Sequence, residues 1–407
     1  MTPTIDDDLY RRLFAELAAI GASPGGWNRL AWGPCEDAAR DWFTETAIEL
    51  GLEVEQDGAG NLWAVEPGAG SEQLVCSGSH VDSVLDGGAF DGALGVVCAL
   101  VAVAAIRRAP AGSRRPLAVG CMVDEEGPRF DAAIFGSRML AGEMPIDDVL
   151  ARVDRDGLVL GDLAAARGIT PASLAEAPAR LERVASWLEV HVEQGIALVD
   201  VPAAVGIATG LAPRERWRAT FEGAANHAGT TPMAGRRDAL VAAARTVVAA
   251  EALALDEPGA VATVGRIEAQ PGASNVIPGG SLLTLDLRAR DADALARVRE
   301  GIFAVAAQTG GVTVSWSEES RDEGSRFDDG LRATLARAAA EAGVSSADIW
   351  AYAGHDAGVL ARRVPAAMLF VRNPTGISHH PDEHASEDDC LAACRVLAGA
   401  LADLATR

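Results

Sequence analysis

Histidine is scarce in this 407-residue chain, and its seven residues are unevenly spread. His80 follows an apolar segment, residues 74–77, in the run Ser79-His80-Val81-Asp82, and a Gly-rich turn from Asp86 to Gly92 comes next, with Asp91 in it. A second apolar segment, 117–123, ends in Asp124-Glu125-Glu126. A third, 187–192, carries His191, and a fourth, 366–371, leads to Gly376-Ile377-Ser378-His379-His380-Pro381-Asp382-Glu383-His384. Neutral imidazoles mixed with carboxylates suit zinc or manganese, and one carboxylate with two free oxygens can bridge two ions. A lone strand-end histidine is more often a structural hydrogen-bonder than a ligand. Four such ends in one chain change that balance, although residue types alone leave open which side chains bind.

For these residues to meet, the segments before them must lie side by side. Helical stretches are expected at 6–20 and 35–50, short strands at 52–56 and 61–65, a buried strand at 74–77, an apolar helix from 93, and strands at 117–123 and 187–192. Strands alternating with helices predict an α/β domain with a largely parallel sheet, whose ligands gather beyond the carboxyl ends of the strands. From about residue 214 the pattern becomes strand 217–221, helix 237–253, strands 260–267 and 281–287, helix 292–309 and strand 312–316. That β-α-β-β-α-β order is the ferredoxin-like split motif. The chain then returns to helix, strand 366–371 and a closing helix at 387–405. The reading is a catalytic domain in two parts, 1–212 and 328–407, interrupted by an inserted α+β domain, 213–327.

Composition narrows the chemistry. The chain has no lysine, which excludes Schiff-base, P-loop and Ser-Lys mechanisms and leaves anion recognition to arginine. A formal charge of -23 excludes nucleic acid as a partner, since phosphate backbones are bound by clustered basic residues. The acidic N-terminus lacks the order of a signal peptide, and the longest apolar run, 93–106, is too short for a membrane span. Six cysteines without a C-x-x-C pair read as reduced core thiols, so a cytoplasmic protein is expected. Gly21-Ala22-Ser23-Pro24-Gly25 fits the pattern of a serine nucleophile elbow, but a helix precedes it and Pro24 has no N–H for an oxyanion. Gly58-Ala59-Gly60 is followed by a strand, so it is no dinucleotide fingerprint.

Eight runs in order carry a resemblance: GSHVDSVLDGGAFDGALG, the pair Glu125-Glu126, EVHVEQG, NHAGTTPM, GASNVIPG, LDLRARD, GHDA and GISHHPDE. Together they resemble the N-carbamoyl-L-amino acid hydrolases and allantoate amidohydrolases, the carbamoylase branch of the dinuclear metallopeptidase superfamily. The likeness begins at GASPGGWNRLAW and covers nearly the whole chain. It implies a zinc-exopeptidase-like catalytic domain and an inserted dimerisation, or lid, domain, with a homodimer as the working form. It further implies two divalent ions, Zn or Mn, with His80 and His191 on one, Glu126 and His379 on the other, and Asp91 bridging them.

In the same resemblance Asp82 would orient His80, and Glu125 would be the general base, passing a proton from the attacking water to the leaving nitrogen. Gln194, Asn275 and Arg288 would bind the substrate, while His227 and His355 would stabilise the oxyanion. Peptidase relatives usually carry a carboxylate where this chain has His191, which points to the ureido-cleaving branch. The implied reaction is cleavage of a ureido C–N bond in allantoate or an N-carbamoyl-L-amino acid, and segment 370–383 looks closer to the allantoate subgroup. The rivals are an aminoacylase or peptidase of the same superfamily and a catalytically silent ligand-binding relative.

Overall fold

The structure, a computed structural model, describes residues 3–109, 114–308 and 310–406. Thr309, the last residue of the expected helix 292–309, lies outside them, and that helix is Ala292–Ala307. The chain divides into two compact units, Met1–Gly210 with Arg326–Arg407 and, separately, Leu211–Ser325.

The first unit is a mixed α/β fold on a nine-stranded sheet. Its centre is four parallel neighbours, Ala366–Val371, Val184–Val192, Leu74–His80 and Leu117–Met122. Antiparallel strands flank them: Val205–Leu211 beside Ala366–Val371, and Leu62–Val65 then Glu53–Gln56 beyond Leu117–Met122. Leu74–His80, Leu117–Met122 and Ala366–Val371 are buried at every position, as parallel strands covered on both faces must be. The cover on one side is Ala93–Arg108, buried continuously from Ala93 to Ile106 and packed on Glu387–Ala405. An apolar helix of that length with no polar stripe is stable only inside a core. Arg107 and Arg108 in its last turn complement the helix dipole.

Two elements differ from expectation in ways that matter to the site. Strand 74–77 continues through Gly78 and Ser79 to His80, because pairing with Leu117–Met122 and burial outweigh the weak strand preference of those residues. Between Leu117–Met122 and Val184–Val192 the chain forms five short helices, from Phe135–Ala141 to Ala177–Arg183, each of five to seven residues and so too short to show a helical period. All six cysteines are free thiols. No helix among the described residues is long and apolar enough to cross a membrane.

The second unit is a four-stranded antiparallel sheet in the order Val261–Gln270, Gly280–Arg288, Arg214–Glu222, Thr313–Asp322. Ala239–Asp256 and Ala292–Ala307 supply its core with Ala219, Phe221, Leu283, Leu285 and Leu287. A short ribbon, Asn226–His227 with Val276–Ile277, joins these elements.

Candidate active site

Because the four central strands are parallel, their carboxyl ends share one edge, and the chemistry-bearing residues collect there. His80 ends its strand, Glu125 and Glu126 follow Leu117–Met122, His191 is the penultimate residue of Val184–Val192, and His379 lies in the turn after Ala366–Val371. Asp91 comes from the loop before Ala93–Arg108. Gly92 beside it has φ 64°, and a Cβ there would lie 2.4 Å from the His80 ring, so that position accepts only glycine.

Asp91 is the hub. Its Oδ1 is 3.3 Å from His80 Nε2 and 3.0 Å from His191 Nε2. Its Oδ2 is 3.4 Å from His379 Nε2, which is 3.4 Å from Glu126 Oε2. Two donor groups result, His80 with Asp91 and His191, and Asp91 with Glu126 and His379, each with its ligand atoms within 4.8 Å of one another.

The donors fit cations. His80 Nδ1 lies 3.1 Å from the Asp82 carbonyl oxygen and His191 Nδ1 lies 2.8 Å from that of Val192. A carbonyl only accepts, so each Nδ1 holds a hydrogen, and each Nε2 faces Asp91 either as N–H or, once a cation replaces that proton, as a lone pair. A carboxylate and an imidazole nitrogen facing each other inside a buried site need a positive charge between them, a proton on the ring or a metal ion in its place. Donors roughly 2.1 Å from a tetrahedral ion stand about 3.4 Å apart, which is the spacing found here. His80 Nε2 and Glu126 Oε1 are both buried without a hydrogen-bond partner.

Electrostatics agree. Burial alone would raise Asp91, but the imidazoles of His191, His379 and His80 hold its carboxyl well below the usual range. Burial pushes Glu126 up to about 8, and hydrogen bonding to Asp91 raises His379 to about 9. Burial also drives Glu125 well above the carboxylate range, with Asp356, Glu126 and Asp91 adding to it and His80 opposing. Excess negative charge confined in low dielectric favours divalent cations.

Asp82 ties the two halves together. Its Oδ1 accepts the Glu125 N–H at 3.3 Å and its Oδ2 accepts that of Glu126 at 3.1 Å, while Oδ1 also lies 3.5 Å from His80 Nδ1. Glu125 Oε2 is 3.8 Å from His80 Nε2. Gln194 Nε2 donates to Asp91 Oδ2 at 3.0 Å and to Ser378 Oγ at 3.1 Å, and its Oε1 is buried without a partner. His355 is buried against His191, ring centroids 4.4 Å apart, and burial holds its imidazole well below the usual value, so it is neutral.

His227, Asn275 and Arg288 belong to the other unit. The ribbon brings the first two together: His227 pairs with Val276 and Ala228 N–H donates to the Asn275 carbonyl at 2.9 Å. Arg288 Nε donates to Asp286 Oδ1 at 2.9 Å. His380 and His384 are not in either donor group.

Sequence reasoning missed several supports. Trp32 Nε1 donates to Asp124 Oδ2 at 2.6 Å, just before Glu125, and both residues have positive φ, 61° and 52°. Glu189 accepts from Ser79 Oγ at 2.8 Å and from Ala357 N–H at 2.7 Å, linking His80's strand to the helix after His355. A carboxylate two residues before His191, in a strand 187–192 that is otherwise apolar apart from that histidine, was a signal available from the sequence alone.

A model of Peptidase family M20/M25/M40 matches residues 67–403, and the chain belongs to that family. It is 35% identical over 400 residues to an N-carbamoyl-L-amino acid amidohydrolase of Geobacillus stearothermophilus, covering 96% of each chain. It is 32% identical over 400 residues to the allantoate amidohydrolase of Escherichia coli K12, again with 96% of each covered. A crystal structure of a hydantoinase/carbamoylase family amidase from Burkholderia multivorans superposes with a TM-score of 0.90 at 32% identity, covering all of both chains.

Proposed function

We propose that the protein is a metal-dependent amidohydrolase that cleaves the ureido C–N bond of a small carboxylate substrate, allantoate or an N-carbamoyl-L-amino acid, releasing ammonia and carbon dioxide. The observation that carries this reading is Asp91, whose two oxygens face different sets of donors. His80 and His191 with Oδ1 would hold one divalent ion, and Glu126 and His379 with Oδ2 the other, zinc and manganese both suiting the set. When bound, such ions would polarise the ureido carbonyl and lower the pKa of water so that hydroxide is available as the nucleophile.

The chain's own groups do the rest. Glu125, not needed as a ligand, takes the proton of the attacking water and delivers it to the leaving nitrogen. Asp82 keeps that base and His80 in register. Neutral His355 donates an N–H to the developing oxyanion. The unpartnered Gln194 Oε1 accepts from a substrate N–H. In the inserted domain, which we bound at 213–327 between catalytic parts 1–212 and 328–407, Arg288 grips the carboxylate, with Asn275 and His227 as further contacts. The test is ammonia release from both ureides after loading with Mn2+ or Zn2+. Chelation should abolish it and either ion restore it. Turnover of neither ureide, or preference for N-acetyl amino acids or dipeptides, sinks the reading.

The proposal includes a homodimer and a cytoplasmic location, the latter in keeping with six free thiols. Helix Ala239–Asp256 exposes Val241, Val248 and Leu255 seven residues apart, with Leu255 81% exposed, and Val261 and Ile267 are exposed on the edge strand Val261–Gln270. A stripe of that spacing beside an open strand edge suits self-pairing. Light scattering should give twice the chain mass, and Leu255→Asp should shift it toward the monomer. A monomeric wild type refutes the pairing.

A further inference from the structure

Glu383 lies four residues past His379, in the same turn, and only 4% of it is exposed. A carboxylate is seldom buried unless its oxygens are fully used, and these are. Oε1 accepts the backbone N–H of Phe90 at 3.1 Å and of Asp91 at 2.9 Å. Oε2 accepts the hydroxyl of Ser378 at 3.1 Å. Since Ser378 spends its proton on Glu383, its oxygen is free to accept from Gln194 Nε2, which also donates to Asp91 Oδ2. The circuit closes: Asp91 backbone, Glu383, Ser378, Gln194, Asp91 side chain.

The closure has a geometric cost elsewhere. A Cβ on Gly88 would sit 2.3 Å from Glu383 Oε1, so the loop leaves a gap for this carboxylate. His379 holds φ 54°, a conformation that a non-glycine residue keeps only where its surroundings over-determine it. Glu383 and Ser378 are two such surroundings. They join the turn that carries His379 to the loop that carries Asp91, two segments otherwise far apart in the chain.

We infer that Glu383 is a positioning residue: by clamping the Asp91 loop to the His379 turn it sets the gap in which Asp91, Glu126 and His379 share an ion, and leaves the His80–Asp91–His191 group to the strands. The inference rests on the two-ion reading above. Asp91 belongs to both groups, but the clamp bears harder on one because His80 and His191 stand on neighbours of the central sheet, whereas His379 stands on the clamped turn. Outer partners of this kind are typically worth about 10–100-fold in metal affinity.

The test is equilibrium dialysis of the full chain against buffered Mn2+, with bound metal counted and the bound-Mn2+ EPR spectrum recorded. Glu383→Ala should lose about 10–100-fold in affinity for one ion and less than about threefold for the other. The spectrum should change from that of an interacting pair to that of a single ion. Glu383→Gln, whose amide oxygen can still accept from Phe90 and Asp91, should fall between. Ser378→Ala opens the same circuit from the other side and should weaken the same ion, which keeps the test decisive if Glu383→Ala fails to fold. Unchanged affinities, or equal weakening of both ions, overturn the assignment to Glu383. A wild type that holds fewer than two ions overturns the two-ion reading, and this one with it.

Discussion

Glu125→Gln is expected to lower kcat by roughly 10²–10⁴-fold, the usual contribution of a positioned acid–base group, with metal content unchanged. The substitution keeps size and shape in a buried position, where 8% of the residue is exposed. The backbone N–H that Asp82 holds is untouched. What disappears is a group able to take a proton and give it back. Because Glu125 Oε2 stands 3.8 Å from His80 Nε2, outside both donor groups, the ions should stay. Steady-state ammonia release and metal analysis on the same preparation check it. Undiminished hydrolysis would remove Glu125 from the chemistry, and loss of metal would make it a ligand.

Asp91→Asn should be more drastic, because both groups pass through this carboxylate. An amide carries no charge, and one of its two positions becomes a donor that faces imidazole or cation. Affinity for both ions is expected to fall by more than about 100-fold, beyond the effect of an outer partner. Hydrolysis should become undetectable at metal concentrations that saturate the wild type. Metal counting after dialysis, with circular dichroism to verify the fold, decides the matter. A variant that retains two ions at full affinity would show that Asp91 does not bridge.

The fold class was legible because burial on both faces leaves uninterrupted apolar runs, and because their alternation with helices admits few topologies. Strands at the sheet's margins were harder: Val205–Leu211 and Ser346–Ala351 were not read, since they alternate irregularly and owe their form to neighbours far along the chain. The gathering of His80, Asp91, Glu126, His191 and His379 was readable only through the order of motifs. Nothing in local spacing says that residue 379 stands beside residue 91; parallel pairing of Ala366–Val371 with Val184–Val192 does. Residues that hold backbone, such as Asp82's acceptors for two amides or Glu383's, leave no periodic trace. The Trp32–Asp124 bond went unread for the same reason, whereas Glu189, a carboxylate inside a buried strand, did leave a mark in the sequence.

The order of those strands in sequence also sets a timetable. His80, Asp91 and His191 have all left the ribosome before the second unit, Leu211–Ser325, begins to emerge. His379 comes only after that unit is finished, in the turn that follows Ala366–Val371, the strand that fills the sheet between Val184–Val192 and Val205–Leu211. A chain that stops at the end of the second unit therefore has His80, Asp91, Glu126 and His191 in its sequence but lacks both His379 and the strand between Val184–Val192 and Val205–Leu211. The second donor group is completed last, by the turn that follows the strand sealing the sheet.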